Sequence, residues 1–241
     1  YAAHAENKFA LKGNHVTLTK GDLTGSIYGG YTAGTGEVSG SVVTLNGGSV
    51  TGSVYGGYSV GGAASTNVLA FSKAAISGDV VGGYSGAADA TGNELTLKNT
   101  TVGGDLIGGQ GATAAGSVIS LTNTQIKGSL YGGRLADGKA STGDAKNVLN
   151  IYDFGSTAKD FLGVQTLNFY LSEADRGRSM LTLTAGTDKD MSTTKVGTLE
   201  FSGAQEALRN GDAVSLVKIA DGKALKTADS LAYGTFQAKQ G

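Results

Sequence analysis

The chain has no cysteine, no proline and no tryptophan in 241 residues. Without cysteine, neither disulfides nor thiolate metal sites can form. At average usage about 5% of residues would be proline; a chain with none fits strand ladders, which need every N–H. No stretch is long and apolar enough to cross a membrane as a helix. Nineteen basic residues against twenty acidic ones, with no basic run, argue against nucleic acid as a partner. Apolar residues make up 39% and aromatics only 7%, so the core is expected to be slender and built of small aliphatics, in a rod rather than a globule. No leader peptide is visible and the chain starts at Tyr1, which reads as a mature fragment.

What is abundant is glycine, 41 residues, and it recurs in columns. One phrase, Gly-(Ser/Asp)-aliphatic-(Tyr or aliphatic)-Gly-Gly, stands at residues 25–30, 52–57, 78–83, 104–109 and 128–133, returning every 24 to 27 residues. Self-similarity at that period marks a solenoid. Before each copy, one column holds Val16, Val43, Leu69, Leu95 and Ile119, and two residues later another holds Leu18, Leu45, Phe71, Leu97 and Leu121. Between them lie Thr17, Thr44, Ala70, Thr96 and Ser120, the apolar-polar-apolar period of a half-buried strand. Further aliphatic columns hold Leu23, Val50, Ile76, Val102 and Ile126, then Ile27, Val54, Val80, Leu106 and Leu130. The expected fold is all-β: a parallel β-helix with about three short strands per coil, glycine corners before and after the last strand, and loops of varying length emerging on one side, as at 31–41 and 134–147. Residues 1–170 are assigned to the helix and 171–241, where charge rises and the glycines leave their columns, to a β-rich cap over its open end. Within that cap, EALRNGDAV is expected to form a short helix or turn.

The GSVYGGY-type repeat, with TLTKG and TLNGG strands before it, resembles the passenger domains of Gram-negative autotransporters, and ALRNGDAVSLVKIADG at 207–222 is similar to a segment near the end of such passengers. The resemblance covers residues 14 to about 134 and this end segment, about half the chain. It implies a right-handed parallel β-helix exported through the outer membrane and displayed or released outside the cell. It also implies a non-catalytic role in adhesion, self-association or biofilm formation, with the C-terminal part acting as an autochaperone-like nucleus of folding. Expected partners are a host surface or matrix protein, a glycan, or copies of the chain itself; no cofactor is expected. The barrel of the family is not in this sequence. The alternatives are a passive stalk displaying a functional region and, more remotely, a β-helix polysaccharide lyase or hydrolase.

Stacking would align Tyr28, Tyr55 and Tyr131 in one column and Tyr31, Tyr58 and Tyr84 in another, at strand spacing of about 4.8 Å. Such a ladder either grips a sugar chain or protein or packs structurally on the glycine corners, as Val81 and Ile107 in the first column suggest. The candidate binding column is Tyr31, Tyr58, Tyr84, Gln110 and Arg134. The candidate self-association column is Thr17, Thr44, Thr96 and Ser120, in the manner of a polar zipper. Asp79 and Asp105 replace Ser26, Ser53 and Ser129 on adjacent rungs. They would either hold a cation, or be solvated or capped by neighbouring N–H groups. Calcium needs six or more oxygens, so no metal is assigned. With Arg134 they form the one constellation suited to a lyase, but charge is not concentrated in a groove and no catalytic residue is assigned. His4 and His15 lie near the N-terminus, and His15, in a column otherwise holding Val42, Val68, Glu94 and Val118, is expected at the surface.

Overall fold

Segments with one apolar face cannot bury it alone, and a chain that turns through a full coil every two dozen residues buries it against the coils above and below. The structure, a computed structural model, describes residues 1–172, 178–201, 214–220 and 223–226. It is a parallel β-helix, as the repeat predicts. The second coil shows the plan, with strands Val38–Ser39, Val42–Asn46, Ser49–Val50 and Val54–Ser59. The last three belong to sheets that run along the rod. Sheet one has eight strands from His15–Leu18 to Lys195–Phe201, sheet two eight from Asp22–Leu23 to Ser215–Ile219, and sheet three seven from His4–Ala5 to Phe161–Leu162. Pairing is parallel and keeps the sequence columns in register, Val43 with Leu69, Leu69 with Leu95, Leu95 with Ile119. The aliphatic columns form one continuous core, fully buried at Leu45, Leu69, Leu95, Leu106, Ile119 and Leu130; each such side chain contributes about 1.5–3 kcal/mol.

Two readings change. A fourth strand of two residues stands in the stretch expected to be loop, at Val38–Ser39, Ala64–Ser65, Ala90–Thr91 and Ala114–Ala115; two residues are too few to show a period. The Gly-Gly pairs are not corners that end a strand. They sit inside six-residue strands such as Ile27–Thr32 and Val54–Ser59, and what requires glycine there is space. A methyl group built on Gly56 would lie 2.4 Å from the Gly82 carbonyl oxygen and 2.9 Å from Asn67 Cβ. The corner glycine before the strand has positive φ only at Gly25 (+114°); at Gly104 the need is again room, since a methyl would lie 2.1 Å from Asp79 Oδ1.

The Asn67 contact points to a polar column across the interior from the glycine pairs, buried at Ser41, Asn67, Asn93, Ser117 and Asn147 and half-buried at Asn14 on the first coil. Asn67 Oδ1 accepts from Ser41 N at 3.1 Å, and Asn93 Oδ1 accepts from both Asn67 N at 3.0 Å and Asn67 Nδ2 at 3.1 Å. Asn147 Oδ1 accepts from Ser117 N at 2.9 Å, and its Nδ2 donates to Ser141 Oγ and to the Ala114 and Gly163 carbonyls. These amides satisfy backbone groups at the corner entering sheet one, where no strand partner reaches them.

Beyond residue 135 the coils change length. Leu149 pairs with Ile119, thirty residues back, and Leu167 with Leu149, only eighteen back. Ser179–Leu183 and Ser215–Ile219 extend sheet two, and Lys195–Phe201 extends sheet one. The expected helix or turn in EALRNGDAV lies, apart from Val214, outside the described residues. Among the described residues, the last strand of sheet three is Phe161–Leu162. Lys189 covers that edge: its Nζ donates to the Phe161 carbonyl, pairs with Asp160 Oδ1 at 2.9 Å and lies 4.3 Å from the centre of the Phe161 ring. Lys189 itself lies on a separate two-stranded sheet, Lys189–Asp190 with Leu225–Lys226, and a lysine held over a strand edge opposes further pairing.

Candidate functional site

In an undisturbed strand, residues three apart point to opposite faces. In Ile27–Thr32 and its neighbours the two glycines both turn inward, so alternation slips by one residue and the tyrosines on either side of them both face out. Sheet three thus carries two parallel outward columns. Tyr31, Tyr58, Tyr84, Gln110 and Arg134 stand on five consecutive strands, as the sequence columns require. Two residues not assigned to the ladders join them. Tyr1 stacks on Tyr28 at 4.9 Å and His4 meets the edge of Tyr31 at 5.1 Å. Tyr1-Ala2-Ala3-His4 is a degenerate copy of Tyr28-Gly29-Gly30-Tyr31, and the spacing of three was the available signal.

The ladders interlock. Within each, neighbouring rings are nearly parallel, with centroids 5.0 Å apart and planes at 7° for Tyr28 and Tyr55, and 4.4 Å and 16° for Tyr58 and Tyr84. Strand spacing is about 4.8 Å but aromatic planes touch at about 3.5 Å. To stay in contact, the rings must tilt by roughly 43° from the perpendicular to the stacking axis. Two ladders tilted in opposite senses then meet at roughly 86°. Among Tyr28, Tyr31, Tyr55, Tyr58 and Tyr84 the observed angles between them are 82°, 81°, 87° and 81°, while Tyr1, at the end of the strip, meets Tyr31 at 61°. The strip is a herringbone of phenols imposed by strand spacing. Burial pushes the phenols of Tyr28 and Tyr55 up from their ordinary range, and Tyr58, beside Tyr84 and Tyr55, up to about 12. They remain neutral hydrogen-bonding groups well above physiological pH.

At its C-terminal end the strip becomes polar. The Arg134 guanidinium donates to Asp105 Oδ2 at 3.1 Å and to Gln110 Oε1 at 3.2 and 2.7 Å, and lies 5.2 Å from the Tyr131 ring centre. Ile107, between Asp105 and Gln110 on the strand, is fully buried although its column faces outward; Val81 is 2% exposed. Asp79 and Asp105 take the capped arrangement: Asp79 Oδ1 accepts from Asp105 N and Asp105 Oδ1 from Ser129 N, both at 2.8 Å. Ser53 and Ser26 do the same one and two rungs earlier. The aspartates therefore continue a column that ties each coil to the next.

The proposed self-association column lies on the outer face of sheet one, where Thr17 and Thr96 are exposed and Thr44 half-buried. Ser120 is engaged, accepting from Asn150 Nδ2 at 3.2 Å, and Asn168 continues the chain of amides to Asn150. His15 is exposed on the same sheet. Tyr152 and Tyr170 form a separate stacked pair there, 4.7 Å and 12° apart. Comparison with family models, with curated proteins and with solved structures finds no match to this chain.

Proposed function

We propose that this chain is the β-helical passenger of a Gram-negative autotransporter, a rod at the cell surface that adheres to a partner or to copies of itself and catalyses no reaction. The observation that carries the recognition role is the tyrosine strip. Ring edges, phenol hydroxyls, an amide and a guanidinium are held in fixed order along the strands of sheet three, presenting rigid contact area at little entropic cost. The glycine-rich repeat and the ALRNGDAVSLVKIADG segment support the passenger assignment. Ligands for such a surface are a matrix protein, a glycan or a second copy.

The second reading is a passive stalk, favoured by the way the rings spend their faces on one another. The test is binding of the purified chain to a panel of immobilised matrix proteins, glycans and the chain itself. Saturable binding to one class, abolished in Y31S/Y58S/Y84S and kept in T17K/T44K/T96K, is expected. Loss only in the threonine variant would move recognition to sheet one, and no binding to any class would leave the stalk.

A further inference from the structure

The chain is poor in side chains that give up an electron readily. It has no cysteine, no tryptophan and two methionines, and both, Met180 and Met191, are buried at 0% and 4% exposure. Its accessible reductants are tyrosines, and most of these are in one strip. A phenol that loses an electron and its hydroxyl proton becomes a radical, with the unpaired electron shared between the oxygen and the carbons ortho to it. In solution two such radicals must find each other. Here Tyr58 and Tyr84 are already in contact, 4.4 Å and 16° apart, the tightest ring pair in the strip. Tyr1, Tyr28, Tyr31 and Tyr55 continue ring contact from this pair at 4.9 to 5.6 Å. A radical formed elsewhere on the strip is therefore passed along by electron transfer between touching rings.

We propose that the strip is a site of oxidative self-cross-linking, in which Tyr58 and Tyr84 couple to form a dityrosine within one chain when a heme peroxidase and hydrogen peroxide supply the oxidising equivalents. Each phenol gives one electron and one proton, and the two electrons and two protons together reduce one peroxide to two waters. The radicals combine by a new carbon–carbon bond between ortho positions. The hydrogen on each of those carbons then moves to its phenolic oxygen, restoring both hydroxyls, so that the chain has lost two hydrogens in all. The link joins residues 26 positions apart on successive coils and staples one rung to the next.

The experiment treats the full chain, dilute, with a heme peroxidase and one equivalent of peroxide. Dityrosine fluorescence, migration on a denaturing gel and tandem mass spectrometry of the digest are then read. The expected product is a monomer in which the Tyr58 and Tyr84 peptides are joined. Y84F keeps the ring in the stack but cannot form a phenoxyl radical, so its monomer should lose that link while its melting curve is unchanged. Prior unfolding in urea should abolish it in the unaltered chain. The proposal is overturned if dityrosine is confined to dimers and larger species or appears only between Tyr152 and Tyr170. It is equally overturned if tyrosines are oxidised without coupling, or if Tyr58-containing links in the monomer persist undiminished in Y84F.

Discussion

The buried asparagine column makes a prediction in which a single substitution improves the fold. On the fifth coil the column holds Ser117, fully buried, whose hydroxyl makes no hydrogen bond. No ladder bond reaches the Asn93 N–H from it, whereas Ser41 N and Asn67 N each receive an amide oxygen from the coil that follows. Room for the larger side chain is indicated across the interior. A methyl built on Gly57, Gly83 or Gly133 would lie 2.7 to 2.8 Å from the Nδ2 of Asn67, Asn93 or Asn147, while the three atoms nearest to one on Gly109 all belong to Ala90. Ser117→Asn should therefore give Asn93 N an acceptor and let Nδ2 donate towards Asn147. Satisfying buried polar groups is worth about 1–3 kcal/mol, and fixing the amide returns up to about 1 kcal/mol, for a net gain of about 1–2 kcal/mol. In a chain of this size that raises Tm by roughly 2–8 °C, measured by circular dichroism against the unaltered chain. The mirror experiment is Asn67→Ala, which strips Ser41 N of its acceptor and should cost about 2–3 kcal/mol. A lower Tm for Ser117→Asn would show that the interior opposite Gly109 is already filled. An unchanged Tm for Asn67→Ala would show that the ladder bonds stabilise nothing.

Gly82→Ala places a methyl 2.3 Å from the Gly108 carbonyl oxygen and 2.7 Å from Leu95 Cδ1, and should destabilise by about 1–3 kcal/mol or more, read as a lower urea midpoint. Tyr58 ionises at about 12 in the fold against an ordinary 10.0. The fold therefore favours the neutral phenol, and the contribution is fully present below pH 10 and lost as pH rises towards 12. Stability measured across that window should fall less steeply in Y58F, and phenolate absorbance of the native chain should rise later than that of the unfolded one. Lys189→Met removes the cation that pairs with Asp160 and bonds the Phe161 carbonyl, leaving the last edge of sheet three open; light scattering should show association that the unaltered chain lacks at the same concentration.

The aliphatic columns were legible because two periods coincide in them: the two-residue period of a strand and the coil period of about 26 residues. Val43, Leu69 and Leu95 satisfy both. The asparagine column satisfies only the second. It stands just before the strand, where a polar residue reads as loop, and serine at 41 and 117 breaks its identity; its burial comes from the closing of the coil, which no local pattern encodes. The last coils were obscured for a related reason. A spacing of thirty followed by eighteen preserves the inward register while destroying the sequence period, since only the strands must align and the connections are free to lengthen or shrink. On the surface, the positions of Tyr31, Tyr58, Tyr84, Gln110 and Arg134 were readable as a column. The herringbone was not, because it depends on the angle at which two columns meet.

That angle connects the interior to the surface. The asparagine column needs the strand of sheet three to come close, so close that Gly56 and Gly57 have no room for a side chain beside Asn67. Two adjacent inward glycines shift the strand's alternation, and the shift brings Tyr55 and Tyr58 to the same outer face where residues three apart would otherwise part. Once there, a strand spacing wider than a ring is thick tilts both columns, and opposite tilts lock them edge to face. An outer tyrosine can thus be exchanged without touching the core, but the strip cannot survive loss of the glycine pair behind it: Gly56→Ala should disturb Tyr55 and Tyr58, whose side chains it never contacts, through the phase of the strand that carries them.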